Sequence, residues 1–538
     1  MTDPAVPASG NAISRRTLTQ AGIAAAGAGM LARRTASAQE SPPIVPTGQA
    51  TAERVQDAIE RIPEIAQDLL DRSGVPGMSI AVVYDDAIAW SGGFGVRELG
   101  NDAPVTETTV FQLASVSKSI AATVVSMMVS DGSVTWDSRM SDLDPGFALS
   151  DPWVTREVTL ADLFTHRSGL PDHAGDILED LGFDRDEVLR RLRFAELQAS
   201  FRSKHLYTNF GLTAAAVAAA STTGSSWEDF SEQRLYQPLG MTATSSRFDD
   251  FMAQRNRATP HVRNGDTWTI TPQQRNPDAQ TPAGGVSSTA NDLAQWMRLQ
   301  LLDGQFEGEE LVGAAALVPM HTPQSVSNLP ADPATDHAGF YGLGINVSYD
   351  QFGAVRWGHS GAFALGAATA FTMLPASGFG VLALTNGMPV GVPEALCQSV
   401  VDLVQTGEVS GDWLERIAPA FAALLRSPYD KGIEWSTPPE NASDPLDNDA
   451  YIGVYHNDYY GDVEVALDGD ALVLILGPDR RSFPLTHYDR DSFSWQPTGE
   501  NATVRSGITF NMSATGKSTD IWDDYLAAGG PGMLPRVK

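Results

Sequence analysis

Strand-like residues fall in two blocks that a long helical stretch holds far apart. The first block, 78–90, is rich in β-formers and ends near Gly92-Gly93, as a hairpin would. The second, 339–387, contains GLGINVSYD, AVRWGHSGAF, ATAFTMLP and GVLALTN. Between them, residues 111–300 are mainly helical, with Gly and Pro breaks. A helix-period stretch precedes the first block: Val55, Ile59, Ile62, Ile65 and Leu69 recur within 51–72, where Pro63 is expected to kink or divide the helix. Another helical stretch follows the second block, from about 393 to 425. This order predicts an α+β fold, a sheet covered by helices beside an all-helical lobe.

Residues 428–447 hold four prolines and no periodicity, and read as a linker. Beyond it, 448–538 shows short strands such as YIGVYHN, DVEVALD and ALVLIL, with a turn at Asp468-Gly469. About ninety residues of this kind predict a small β-barrel or meander. A chain of 538 residues suits one large domain, here 51–427, plus that smaller one at 448–538. Residues 39–50 form a Pro-containing lead-in.

The first 38 residues read as an export signal: Arg15-Arg16, a short Ala/Gly-rich apolar run over 21–31, then Ala36-Ser37-Ala38. The twin arginine points to the bacterial route for folded proteins and to the periplasm. The run is too short to span a bilayer, so no stable membrane insertion is expected. The net charge of −30 repels phosphate backbones and anionic lipid, which argues against nucleic acid as a partner. The one cysteine, Cys397, excludes an internal disulfide and any multi-Cys metal site, and reads as a buried small hydrophobe.

Three distant segments carry chemistry. Ser115-Val116-Ser117-Lys118 opens a helical stripe of Ile120, Val124, Met127 and Met128, which puts Ser115 near a helix N-terminus. Serine and lysine three apart share a helix face, and the ammonium and the dipole both favour an anionic oxygen at Ser115. Tyr207-Thr208-Asn209 stands just before an Ala-rich helix; a tyrosine beside a Ser–Lys pair can relay protons. Tyr455-His456-Asn457 spells the same pattern where no chemistry is expected. His359-Ser360-Gly361-Ala362 lies in a strand, whose edge can offer N–H groups to an oxyanion and where Gly361 allows close approach.

In this order and spacing, the segments resemble the serine β-lactamase and penicillin-binding-protein superfamily, whose pattern starts with S-x-x-K. The branch with Y-x-N second and K/H-T/S-G third fits best: class C β-lactamases, DD-carboxypeptidases, D-aminopeptidases and esterases. The sister class with S-D-N fits less well, since Tyr207 stands where its second serine would be. Further family-like stretches run over 163–171, 238–241 and 283–289. The C-terminal segment is similar to the lipocalin-like domain appended to some of these hydrolases.

The resemblance implies an antiparallel sheet flanked by helices, with Ser115 as nucleophile. Lys118 and Tyr207 would share the acid/base work, the order of proton transfer being open. The N–H groups of Ser115 and Ala362 would form the oxyanion hole. Asn209 would hold the substrate amide, and His359 would orient substrate or leaving group. No metal and no cofactor are implied. His359 stands where class C β-lactamases usually carry lysine, which favours a peptidase or esterase over a β-lactamase. The function implied is an exported serine peptidase acting on short, unusual peptides with D-residues, linearised microcystin being a narrower candidate. The alternatives are an esterase or class C-like β-lactamase on the same site, or an inactive penicillin-recognising or scaffold protein.

Overall fold

The computed structural model describes residues 48–330 and 332–538; the expected export signal and most of the lead-in lie outside them. Helix α1 (Ala52–Ser73) is capped by Thr51, whose hydroxyl accepts from the Arg54 N–H, and ends at Gly74 with φ +70°. It is not divided at Pro63, which lies on the solvent face, while Val55, Ala58, Ile62, Ala66 and Leu69 form the buried stripe.

The large sheet has nine strands: β1 (Gly77–Tyr84), β2 (Ala87–Glu98), β3 (Asn101–Pro104), β4 (Ser325–Asn328), β5 (Gly339–Tyr341), β6 (Asn346–Tyr349), β7 (Val355–Phe363), β8 (Ala367–Leu374) and β9 (Phe379–Thr385). Their spatial order is β4-β5-β6-β7-β8-β9-β1-β2-β3, antiparallel throughout. The first block of strands thus pairs with the last, Ile80 opposite Ala383, and the intervening chain is extruded as the helical lobe. That lobe includes α2 (Ser117–Ser130) and α3 (Asn209–Ser221); α4 (Ala290–Leu301) packs on β1 and β9. On the opposite face α1 and α5 (Val392–Thr406) bury Ile80, Val82, Val381 and Ala383. Cys397 is buried in α5 as expected.

The C-terminal residues form two antiparallel sheets, Gly453–Asn457 to Arg481–Pro484 and Thr486–Asp489 to Met533–Pro535, not one uninterrupted barrel ladder. The chain passes from one sheet into the other at Leu485, between Pro484 and Thr486. At the opposite seam, Val454 and Val537–Lys538 exchange main-chain hydrogen bonds. Tyr459, Tyr460 and Trp495 are buried core residues. The proline-rich stretch expected as a linker is pinned at both ends of its aromatic content. The Tyr429 hydroxyl donates to Val504 O at 2.9 Å, and Trp435 meets Tyr488 edge-on with ring centroids 4.6 Å apart.

Candidate active site

A short turn, Ala114–Val116, leads into α2 and carries Ser115 half-buried at the helix N-terminus, where solvent reaches it. Ala114 before it sits at φ +48°, a strained conformation for a residue with a Cβ that costs about 1–3 kcal/mol. One turn on, Lys118 is fully buried. Its Nζ lies 3.1 Å from Ser115 Oγ, 2.7 Å from Asn209 Oδ1 and 2.9 Å from the Ala283 carbonyl oxygen. Burial, aided by the Arg275 charge and opposed by Asp176, brings its pKa down to about 7. A neutral amine there keeps two N–H bonds, to Asn209 and Ala283, and turns its lone pair to the Ser115 hydroxyl.

Tyr207 places its ring centroid 4.6 Å from Lys118 Nζ. Burial raises its phenol well above the ordinary value, although a hydrogen bond with Ser115 pulls the other way. It therefore holds its proton at neutral pH. His166, fully buried, accepts from the Thr208 N–H at 3.2 Å and so fixes the main chain between Tyr207 and Asn209. Asn209 ties the lysine to a carboxylate: its Oδ1 accepts from Lys118, and its Nδ2 donates to Asp176 Oδ2 at 2.8 Å. Asp176 also takes His173 Nδ1 at 2.8 Å, which raises that imidazole's pKa against its burial. Asp176 and His173 were not singled out by the sequence as site residues; no local pattern marks a carboxylate that reaches Asn209 from 33 positions away.

Strand β7 lies against the serine turn. A Cβ on Gly361 would overlap the Leu113 carbonyl oxygen and the Thr369 hydroxyl, and would press on Ser115 N at 3.0 Å. Glycine is what lets the strand approach so closely. Ala362, half-buried, follows it and pairs with Ala368. His359 donates through Nδ1 to the Ser360 carbonyl oxygen at 2.7 Å and accepts at Nε2 from the Tyr341 hydroxyl at 2.9 Å. Burial and the Lys118 charge push its pKa down to about 3, so it is a neutral imidazole with both nitrogens engaged. Among the described residues no three His, Cys, Asp or Glu side chains gather as a metal site.

The family model described as beta-lactamase matches residues 62–405, more than half of the chain. The chain belongs to the beta-lactamase family. A second model, described as a domain of unknown function, matches 437–526. The chain is 28% identical over 335 residues to the unguisins hydrolase of Aspergillus campestris, covering 60% of each chain. It is 25% identical over 256 residues to the D-alanyl-D-alanine-carboxypeptidase/endopeptidase AmpH of Escherichia coli, covering 45% of this chain and 64% of that one. The matched stretches span less than two thirds of both relatives. The octameric penicillin-binding protein homologue from Pyrococcus abyssi shares the fold, with a TM-score of 0.57 at 19% identity over 86% of this chain and 98% of that one.

In this beta-lactamase-like hydrolase the C-terminal sheets reach the site's rim. Glu500, on the connection between Ser492–Trp495 and Ser506–Met512, accepts from the Ala364 N–H at 2.5 Å and the Leu365 N–H at 3.3 Å. Those groups come two and three residues after Ala362 along the chain. Arg275 bridges Glu500 (3.3 Å) and Glu179 (2.7 Å) while lying 4.2 Å from the Phe363 ring centroid. Burial pushes the Glu179 and Glu500 carboxyls up to about 7 despite Arg275. On the other rim, the Tyr459 hydroxyl accepts from the Gly175 N–H at 2.8 Å, beside Asp176.

Proposed function

We propose that this chain is an exported serine peptidase that cleaves amide bonds of short peptides containing D-configured or otherwise unusual residues. The reaction would run through an acyl-enzyme on Ser115. The observation that carries this reading is a fully buried Lys118 amine, tuned to about 7, within 3.1 Å of a hydroxyl that solvent reaches.

Lys118 is the acylation base in this reading, because its pKa lies near neutrality while Tyr207 keeps its proton. Ser115 Oγ attacks the substrate carbonyl carbon as its proton passes to Lys118. The N–H groups of Ser115 and Ala362 take the oxyanion. As the C–N bond breaks, the leaving amine receives that proton through the Tyr207 hydroxyl. Water, deprotonated by the same lysine, then hydrolyses the ester and restores Ser115. Asn209 and Asp176 hold the amine in place throughout.

Two observations support a peptide as substrate. The neutral His359 supplies no cation to a substrate carboxylate, unlike the lysine expected for an efficient β-lactamase. The relatives include a named peptide-bond hydrolase, the carboxypeptidase/endopeptidase AmpH, beside the unguisins hydrolase. Linearised microcystin is the narrower candidate within this class.

Intact-protein mass spectrometry tests the reading, with D-amino-acid amides, linearised microcystin, p-nitrophenyl esters and nitrocefin as probes. The expected result is an acyl mass on Ser115 and amine release from a peptide probe. Ester or nitrocefin turnover as fast as peptide turnover moves the assignment to an esterase or β-lactamase on the same site. No adduct and no amide cleavage removes it.

A further inference from the structure

Two segments lead outward from Ser115 and Lys118. One is β7, which passes Ser115 at Gly361 and Ala362 and continues through Phe363 to Ala364 and Leu365. The other is the helix Asp176–Asp180, whose first residue holds Asn209 beside Lys118. At their outer ends one residue of the C-terminal sheets joins them. The Glu500 carboxylate accepts from the Ala364 and Leu365 N–H groups, while the Glu500 N–H donates to Asp180 Oδ1 at 2.8 Å. Asn501 adds two bonds to Asp180 Oδ2, from its N–H at 2.8 Å and from Nδ2 at 2.9 Å.

The join is tight. Gly499 stands at φ +124°, and a Cβ there would lie 2.3 Å from the Asp180 carboxyl group. Glycine alone lets the loop sit so close in that conformation. The Tyr525 hydroxyl, also from the C-terminal residues, donates to Asp180 Oδ2 at 3.0 Å. The join is also filled. Arg275 pairs with Glu179 of the helix and with Glu500, and its guanidinium covers the Phe363 ring. The Arg275 and Glu500 side chains are only 9% and 11% exposed, so little space is left between the two segments there. Residues 499–501 therefore form a fixed bridge of bonded, buried groups.

We propose that this bridge closes the Ala364 end of the Ser115 cleft and so limits how many residues a substrate carries on one side of the scissile bond. The proposal rests on the peptidase reading given above. A peptide lying along β7, with its carbonyl oxygen on the Ala362 N–H, advances by about 3.3 Å per residue, as the strand does. It meets the bridge after two or three residues, because Ala364 and Leu365 stand two and three positions beyond Ala362. The C-terminal sheets then act as a specificity element for the same site.

Linear peptides of D- and L-alanine, lengthened one residue at a time from either end, test this on the full chain, with the products read by mass spectrometry. The fragment from one side of the cut is expected to stop at a ceiling of about two or three residues, while the other fragment grows with the peptide. Glu500→Ala combined with Asn501→Ala removes the side-chain bonds to both segments and should lift that ceiling by at least one residue. Tyr525→Phe loosens Asp180 but leaves the bridge in place, so its ceiling should match the native one. Fragments that grow on both sides with the native chain overturn the proposal. So does a ceiling unmoved in the folded double variant, or one lifted equally by Tyr525→Phe. An acyl-enzyme on Ser115 with unrestricted fragments removes this proposal alone. Absence of both cleavage and acyl mass removes the peptidase reading, and this proposal with it.

Discussion

Two stretches of this chain spell tyrosine–any–asparagine, and the fold uses them in opposite ways. Tyr207 and Asn209 stand at the start of α3, where Lys118 arrives from α2 and Asp176 from the helix Asp176–Asp180. Their polar atoms end on groups from other elements. Tyr455 and Asn457 lie in the strand Gly453–Asn457 of the C-terminal sheets. The Tyr455 hydroxyl donates to Tyr451 O at 2.6 Å, four residues back. Asn457 accepts from the Tyr460 N–H at 2.7 Å and donates to Pro531 O at 3.1 Å. Those bonds close on main chain and stitch a β corner. The pattern is therefore neutral between chemistry and structure until a third element delivers a charge to it.

The largest expected effect separates the two tyrosines. Tyr207→Phe should lower kcat by about 10²–10⁴ with little change in melting temperature, since a proton relay is lost and the ring is kept. Tyr455→Phe should leave kcat unchanged and cost about 1–3 kcal/mol in denaturant unfolding, because Tyr451 O is left buried without its donor. Equal activity in both variants would break the comparison.

The asparagines sharpen it through pH. Lys118 acts as base only when neutral, so kcat/KM should rise as pH rises through about 7 and level off above. Asn209→Asp sets a carboxylate beside Nζ, favours the ammonium, and should move that limb upward by about one unit or more. Asn457→Asp should leave the limb where it is.

Glu500→Gln asks how far the C-terminal sheets take part in the site. It weakens two bonds to residues 364–365 and removes one of the charges on Arg275. Because these groups follow Ala362, we expect kcat to fall by about tenfold, together with a loss of about 1–3 kcal/mol in stability. An unchanged kcat would confine the C-terminal sheets to a structural role. The smallest effect belongs to His456→Ala, within the second pattern: its exposed pair with Asp462 should be worth under about 1 kcal/mol by the same unfolding measurement.

The α+β layout was legible because apolar periodicity and the split strand blocks allow few other arrangements. That α1 is one helix across Pro63 was not, because packing of its buried stripe on the sheet and α5 holds both halves in line as one element. The contacts of the proline-rich stretch were not legible either: nothing local announces that Tyr429 and Trp435 find their aromatic partners in Tyr525 and Tyr488. Within the site, Ser115, Lys118, Tyr207, Asn209, His359, Gly361 and Ala362 could be named from spacing and resemblance. Asp176, His173 and Glu500 could not, since each reaches the site from a segment without a pattern of its own.

What the sequence determined by itself was the layer order, the S-x-x-K turn at the head of α2, and the need for glycine at 361. These follow from periodicity, from helix geometry and from the size of a missing side chain, all of which are local. Tertiary structure alone decided that Asn209 serves the lysine and that His359 is neutral. Charge state and partnership depend on burial and on which distant groups arrive, and those are properties of the assembled fold.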